Sequence, residues 1–203
     1  MGGFDVRHWD ERYGATPSLW GAEPNRWVAV ELAELAPAIA VDLACGEGRN
    51  AVWLAQRGWR VYGVDFSGVG LAKAAELERR VLDSPRVTWV EADVTTYAPP
   101  EPVDLALLCY LQVPESARRA AVRTAAGSLA PGGTLLVIAH DSRNLTDGTG
   151  GPQDPGVLYT AADVAADLAG TGLRVEKALE VLRPVEGTER PAIDALLRAV
   201  RGP

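Results

Sequence analysis

The chain has 203 residues, 47% hydrophobic and 23% charged, which is enough for one sizeable core of ordinary globular balance. Its net charge of −7 argues against holding a phosphate polymer through a general basic field, so no nucleic-acid partner is expected. No apolar run approaches the roughly eighteen residues that span a bilayer, Met1–Glu11 lacks a signal-like apolar stretch, and Cys45 and Cys109 give no disulfide framework, a pattern that fits a reducing cytoplasm.

Trp9–Asn25 reads as an irregular, aromatic-rich lead-in, followed by helical character from Pro24 to about Leu35. Ala38–Ala44 is a short apolar run ending at glycines, the pattern of a buried strand. Arg49–Arg57 reads as a helix that Gly58 ends, Arg60–Asp65 as a second strand and Val69–Leu82 as a second helix. Val87–Ala92 is a third strand. Val103–Leu111 is a fourth, nearly all apolar, as expected for a strand covered on both faces. Glu115–Leu129 is a helix closed by Pro131-Gly132-Gly133, and Thr134–His140 is a fifth strand. Asp141–Val157 is rich in Gly, Pro, Asp and Asn and reads as a long loop. Thr160–Ala169 is helical, and Leu173–Val181 alternates as a strand does. Ala192–Val200 fits helix or strand equally by periodicity.

Strands alternating with helices imply a parallel sheet covered on both faces, with ligands bound outside the carboxyl ends of the strands. The residues just after each strand therefore carry the functional argument. After the first come Asp42, Ala44, Cys45, Gly46, Glu47, Gly48, Arg49 and Asn50. Glycines there allow a tight turn and close ligand approach, and the next helix offers free N–H groups. After the second comes Asp65, 19 positions beyond Gly46, a carboxylate suited to ribose hydroxyls. After the third, Asp93 can accept from an adenine amino group, and the backbone of Val94 can donate to the ring. Singly these are weak: a glycine pair is often a turn, Asp65 a helix-start residue, Asp93 a turn residue, Asp42 an orienter of the loop. Their order within one βαβαβ unit points to a nucleoside-type cofactor.

Val41-Asp42-Leu43-Ala44-Cys45-Gly46-Glu47-Gly48-Arg49-Asn50 resembles motif I of class I S-adenosylmethionine-dependent methyltransferases. Val61–Ser67 resembles their second motif, Glu91–Val94 the adenine-contacting segment, and Leu129–Leu136 the turn into strand five. Trp9–Tyr13, Trp20 and Pro24-Asn25 are similar to the lead-in of bacterial enzymes of the tellurite-resistance and thiopurine kind. The resemblance implies an α/β, Rossmann-like fold with a seven-stranded, mostly parallel sheet and an antiparallel last strand, which makes Ala192–Val200 a strand. It implies one methyltransferase domain over 1–203: a lid and first helix to 36, a cofactor-binding core over 37–140, and a substrate-side loop with C-terminal strands over 141–203. S-adenosyl-L-methionine is the implied cofactor, with Gly46 and Gly48 at its methionine part, Asp65 at the ribose, and Asp93 with Val94 at the adenine. Trp20, Asn25, Asp42, Ala44, Asn50, Phe66 and Cys109 complete the implied cofactor set. Ala44 departs from the glycine of many members, and Cys109-Tyr110-Leu111 matches no substrate subgroup.

The implied acceptor is a small molecule: a thiol, a chalcogenide, or an oxygen or nitrogen nucleophile. His140, at the end of strand five, is the candidate base, with Asp141 beside it to orient the ring. The other reading is a buried histidine bonded to backbone. Trp9 and Tyr13, with Trp20, form either an aromatic lid or a patch anchoring the first helix. Tyr110, Leu111 and Asp141 fall on the substrate side. Cys45 and Cys109 read as two buried free thiols. A monomer or homodimer is expected, and no metal. Gly46–Ala51 also fits the G-x-G-x-x-A of nicotinamide enzymes, but no Tyr-x-x-x-Lys pair occurs in the chain. A cofactor-binding protein without turnover is the other alternative.

Overall fold

A computed structural model describes residues 6–203. Seven strands form one sheet in the order β3-β2-β1-β4-β5-β7-β6. They are β1 (Ile39–Leu43), β2 (Arg60–Asp65), β3 (Val87–Glu91), β4 (Val103–Cys109), β5 (Leu129–His140), β6 (Leu173–Arg183) and β7 (Ala192–Arg201). β1 pairs in parallel with β2 and β4, β2 with β3, and β4 with β5; β7 is antiparallel to both its neighbours, β5 and β6. The strand order reverses between β1 and β4, so the ligand edge lies at Leu43, Cys109 and the segments that follow them. Because β7 runs backward, its first residues, and the last of β6, also reach that edge.

The helices are α1 (Val6–Gly14), α2 (Arg26–Glu31), α3 (Arg49–Gln56), α4 (Gly68–Val81), α5 (Glu115–Ser128), α6 (Asn144–Asp147) and α7 (Ala161–Asp167). They cover both sheet faces and divide the core in two. Val41, Leu43, Leu108, Val137 and Leu197 meet α5 and α7 on one side. Ala40, Leu105, Leu107, Leu136 and Leu196 meet α2 and α3 on the other, closed by Trp59 at 2% exposure. Each such leucine stabilises the fold by about 1.5–3 kcal/mol on burial. The alternation within β4 sends Leu105 and Leu107 one way and Ala106 and Leu108 the other, which is why its sequence is apolar at nearly every position.

Three expectations are corrected. The lead-in is not wholly irregular: Val6–Gly14 is helical, and the helix after Pro24 stops at Glu31. β5 begins at Leu129, so the Pro131-Gly132-Gly133 segment belongs to the strand and forms an irregularity in its pairing with β4. The long loop contains α6 and a 3-10 turn at Pro155–Val157, because Asp141 and Asp154 accept from backbone N–H groups two residues on and start each turn locally.

Candidate active site

The glycine loop between β1 and α3 is built from left-handed residues: Ala44 at φ 61°, Gly46 at 55° and Gly48 at 77°. That conformation turns the chain back under the start of α3. Alanine at 44 carries the strain of a Cβ, of order 1–2 kcal/mol. Gly48 is required by packing, since a Cβ there would come within 2.6 Å of both Ala74 and Trp89. Asp65 closes the loop from β2. Its Oδ2 accepts from Gly46 N at 2.8 Å and its Oδ1 from Ser67 N at 2.9 Å, at 3% exposure. Burial, the largest effect, raises its pKa above the usual carboxylate value, and those backbone N–H groups oppose the shift.

Asp42 sits at 1% exposure, and neither carboxylate oxygen accepts a well-formed hydrogen bond, the backbone N–H of Ala51 coming near enough only to oppose the rise in its pKa. Burial first, and the charge of Asp65 second, push its pKa up to about 8. An unpartnered buried carboxylate costs several kcal/mol if ionised. It is therefore held neutral by a proton below about pH 8. Cys45 and Cys109 are free thiols, and burial pushes Cys109 up to about 12.

The N-terminal segment packs against the glycine loop and α4. α1 packs on α4, with Tyr13 at 5% exposure and its ring 5.4 Å from that of Trp9. Ser67 Oγ donates to Asp10 Oδ1, and Lys73 Nζ donates to the carbonyls of Tyr13 and Thr16 and to Glu47 Oε1 at 3.0 Å. Glu47 Oε2 accepts from Leu19 N at 2.8 Å and Trp20 N at 3.3 Å. The glycine loop, through Glu47, is thus bonded to the N-terminal segment. The Trp20 side chain itself is 45% exposed, near Arg12.

The structure brings Asn25 and Asn50 together, Asn25 N donating to Asn50 Oδ1 at 2.8 Å. Asn25 caps α2 through Trp27 N and Val28 N, and its Nδ2 donates to the Tyr110 hydroxyl at 3.1 Å. Phe66 is half-buried beside Asp65. Val94 is buried, but Asp93 is exposed and its Oδ1 accepts from both Thr95 N and Thr95 Oγ1, a turn that leaves only Oδ2 for a ligand. Leu111 packs on the α5 side of the core, its carbonyl accepting from the Tyr159 hydroxyl at 2.7 Å.

The His140 ring lies 4.7 Å from the Tyr110 ring, and Gly151 sits so close that a Cβ there would come within 2.9 Å of it. The His140 backbone N–H donates to Gln112 Oε1 at 2.6 Å. The carboxylate beside it is not Asp141. Asp141 is fully buried and accepts from Arg143 N at the start of α6, since successive residues of an extended chain point to opposite faces. The neighbour is Asp194, directly opposite His140 in the β5–β7 ladder, with Oδ1 at 3.5 Å from His140 Nδ1.

Asp194 is also fully buried. It accepts from the Tyr110 hydroxyl at 2.9 Å, Trp27 Nε1 at 3.2 Å and Arg183 Nε at 2.8 Å. Tyr110 holds a left-handed backbone at φ 61° to reach it. Asp194, Arg183 and Trp27 are absent from the sequence expectation. One signal was available: an aspartate inside the otherwise apolar run Ala192-Ile193-Asp194-Ala195-Leu196-Leu197, where a lone charge demands partners.

Residues 40–133 match the family model described as a methyltransferase domain. Solved structures align over nearly the whole chain. A protein from a study of disulfide-to-thioacetal conversion in echinomycin biosynthesis gives a TM-score of 0.76 at 22% identity, over 97% of this chain and 91% of that one. The N-methyltransferase NodS from Bradyrhizobium japonicum, in complex with S-adenosyl-L-homocysteine, gives 0.74 at 17%, over 97% and 98%. The chain has the class I methyltransferase fold. TehB from Haemophilus influenzae shares that methyltransferase fold with a TM-score of 0.70 at 17% identity, over 88% of this chain and 62% of its own. Among curated proteins, 2-phytyl-1,4-naphtoquinone methyltransferase of Nostoc punctiforme is 39% identical over 80 residues, 37% of this chain and 33% of that protein. Trans-aconitate 2-methyltransferase of Azoarcus is 44% identical over 71 residues, 34% and 25%. The matched part thus spans a third or less of these curated relatives' length.

Proposed function

We propose that the protein is an S-adenosyl-L-methionine-dependent methyltransferase acting on a small molecule. The observation that carries this reading is Asp42. A buried carboxylate without a well-formed hydrogen bond, on the strand that leads into a glycine loop closed by Asp65, suits a ligand that brings both an ammonium group and ribose hydroxyls. The cofactor supplies an electrophilic methyl group when bound. The chain's own residues bind, orient and exclude water. Asp42 balances the cation. Asp65 keeps one lone pair on each oxygen for hydroxyls while holding Gly46 and Ser67. Asn50, through Asn25, fixes the start of α2, and Tyr13 with Trp9 covers the edge. Asp93 and Val94 stand at the adenine position. Tyr110, His140 and Asp194 form the acceptor side, where His140 is the group able to take a proton at neutral pH.

The domain is read as lid and first helix to 36, core over 37–140, and acceptor-side loop and strands beyond. Among the described residues no helix is long and apolar enough to cross a membrane. The two free thiols suit a reducing cytoplasm, and a monomer or homodimer is the expected state. The decisive experiment is calorimetry. S-adenosylhomocysteine should bind at one site per chain and NADH should not. Tight NADH binding without a response to S-adenosylhomocysteine would overturn the reading. A turnover screen with labelled cofactor over thiols, selenite, tellurite, thiopurines, phenols and amines then identifies the acceptor.

A further inference from the structure

The acceptor side of the edge contains a polar cluster out of proportion to what the fold needs. Asp194 stands on β7 among apolar neighbours. A fully buried carboxylate there would cost several kcal/mol without partners. Its three hydrogen-bonding partners come from three places: Trp27 from α2, Tyr110 from the turn after β4, and Arg183 from β6. Arg183 Nη2 adds a second contact, 3.3 Å from Asp194 Oδ1. That same oxygen faces His140 Nδ1, which is buried and has no hydrogen-bond partner. The His140 side chain as a whole retains 15% exposure.

We infer that Asp194 is the positioning residue of a His140–Asp194 pair, and that the methyl acceptor is one that still carries its proton, a phenol, alcohol or amine. The inference rests on the methyltransferase reading above for its chemistry and on the ladder geometry for its residues. Residues directly opposite in an antiparallel pair share a face, so the β5–β7 register fixes the imidazole and the carboxylate on the same side. With Nδ1–H directed at Asp194, the free lone pair is on Nε2. There the O–H bond of a phenol or alcohol, or one N–H bond of an amine in its ammonium form, would break, the proton would form an N–H bond at Nε2, and the electron pair left on the heteroatom would take the methyl group, whose bond to the cofactor sulfur breaks with its pair staying on S-adenosylhomocysteine. The imidazolium that results gains a full carboxylate at Nδ1. The 3.5 Å separation is long for a resting hydrogen bond and shortens when the ring carries charge. An acceptor already ionised, such as a thiolate or selenide, would have no proton for this arrangement to remove.

Among the described residues, two charged groups act on His140. Asp194 on β7 favours the imidazolium, Arg183 on β6 opposes it, and the Tyr110 ring and Gly151 lie close to it. Burial, the largest effect, lowers the imidazole pKa below its ordinary value. The ring is therefore neutral and ready to accept a proton at pH 7.

The test is imidazole nitrogen NMR on the full chain carrying His8→Ala, which leaves His140 as the single histidine. The expected neutral tautomer is protonated at Nδ1. Asp194→Asn should lower the His140 titration midpoint by about one unit or more, while Arg183→Gln should raise it and Asp141→Asn should leave it in place. The Arg183 variant retains the carboxylate, so the pairing remains testable even where Asp194→Asn unfolds. A neutral ring protonated at Nε2, or a midpoint indifferent to both charges, overturns the pairing. S-adenosylhomocysteine binding measured on the same samples separates this outcome from a failure of the methyltransferase reading. Turnover confined to thiols and chalcogenides, with the pairing intact, overturns the acceptor class.

Discussion

Tyr13 stands over Gly46 so closely that a Cβ built on the glycine would lie 2.6 Å from the tyrosine hydroxyl oxygen and 3.4 Å from the ring carbon that bears it. The first contact is impossible and the second is ordinary. Gly46→Ala should therefore force Tyr13 off the loop and, at φ 55°, add left-handed strain of about 1–2 kcal/mol. Tyr13→Phe removes the offending oxygen. The double variant should then lose less stability than the sum of the singles in urea denaturation. Strict additivity would show that the two residues do not meet.

Asp65 holds the glycine loop, and the proposed function also gives it the cofactor ribose. Asp65→Ala removes the ribose acceptor, lowering cofactor affinity by roughly 1.5–3 kcal/mol. It also leaves Gly46 N and Ser67 N without their side-chain acceptor in a buried loop, which should destabilise the fold by about 1–3 kcal/mol. Calorimetry and denaturant melts on the same protein read both. Intact affinity in a folded Asp65→Ala protein would assign the residue to the loop alone.

Asp42 gives a signed pH effect. Its pKa lies near 8 in the folded protein, against an ordinary carboxylate value of 3.8. The folded state therefore binds more protons than the unfolded state between those values, and stability falls as pH rises through that window. Asp42→Asn should flatten the decline. A bound ammonium favours the ionised form, so cofactor binding at pH 7 should release a proton and strengthen up to about pH 8. Titration calorimetry in buffers of different ionisation enthalpy counts that proton. No release in the wild-type protein would remove Asp42 from the cation site.

His140→Ala should cut turnover by roughly 10²–10⁴-fold on an acceptor that carries a proton, with cofactor binding unchanged. Because burial holds the imidazole below its ordinary pKa, wild-type turnover should rise with pH to a plateau reached before neutrality. On an ionised thiol or chalcogenide the same variant should change acceptor KM more than turnover. If both parameters stay put on the true acceptor, His140 is structural.

Much of the framework was legible in the residues. Local periodicity placed β2 at its observed bounds and β1, β3 and β4 within two residues or fewer, because buried parallel strands are short apolar runs that end where glycine or aspartate turns the chain. The Gly46–Gly48 loop and Asp65 read correctly as neighbours, since one βαβ unit brings its strand ends together by construction. The helix in Val6–Gly14 was missed because it derives its order from packing on α4, a contact that no local pattern encodes.

The surroundings of His140 were decided by tertiary structure alone. Sequence adjacency put Asp141 beside His140, yet neighbours along an extended chain face opposite ways. The antiparallel register of β7 against β5 sets Asp194 opposite His140, and the antiparallel pairing of β6 with β7 delivers Arg183 to the same carboxylate. Strand identity is a short-range property, carried by the spacing of apolar residues. Register and side-chain direction are long-range ones, fixed only when the buried faces of β5, β6 and β7 pack together.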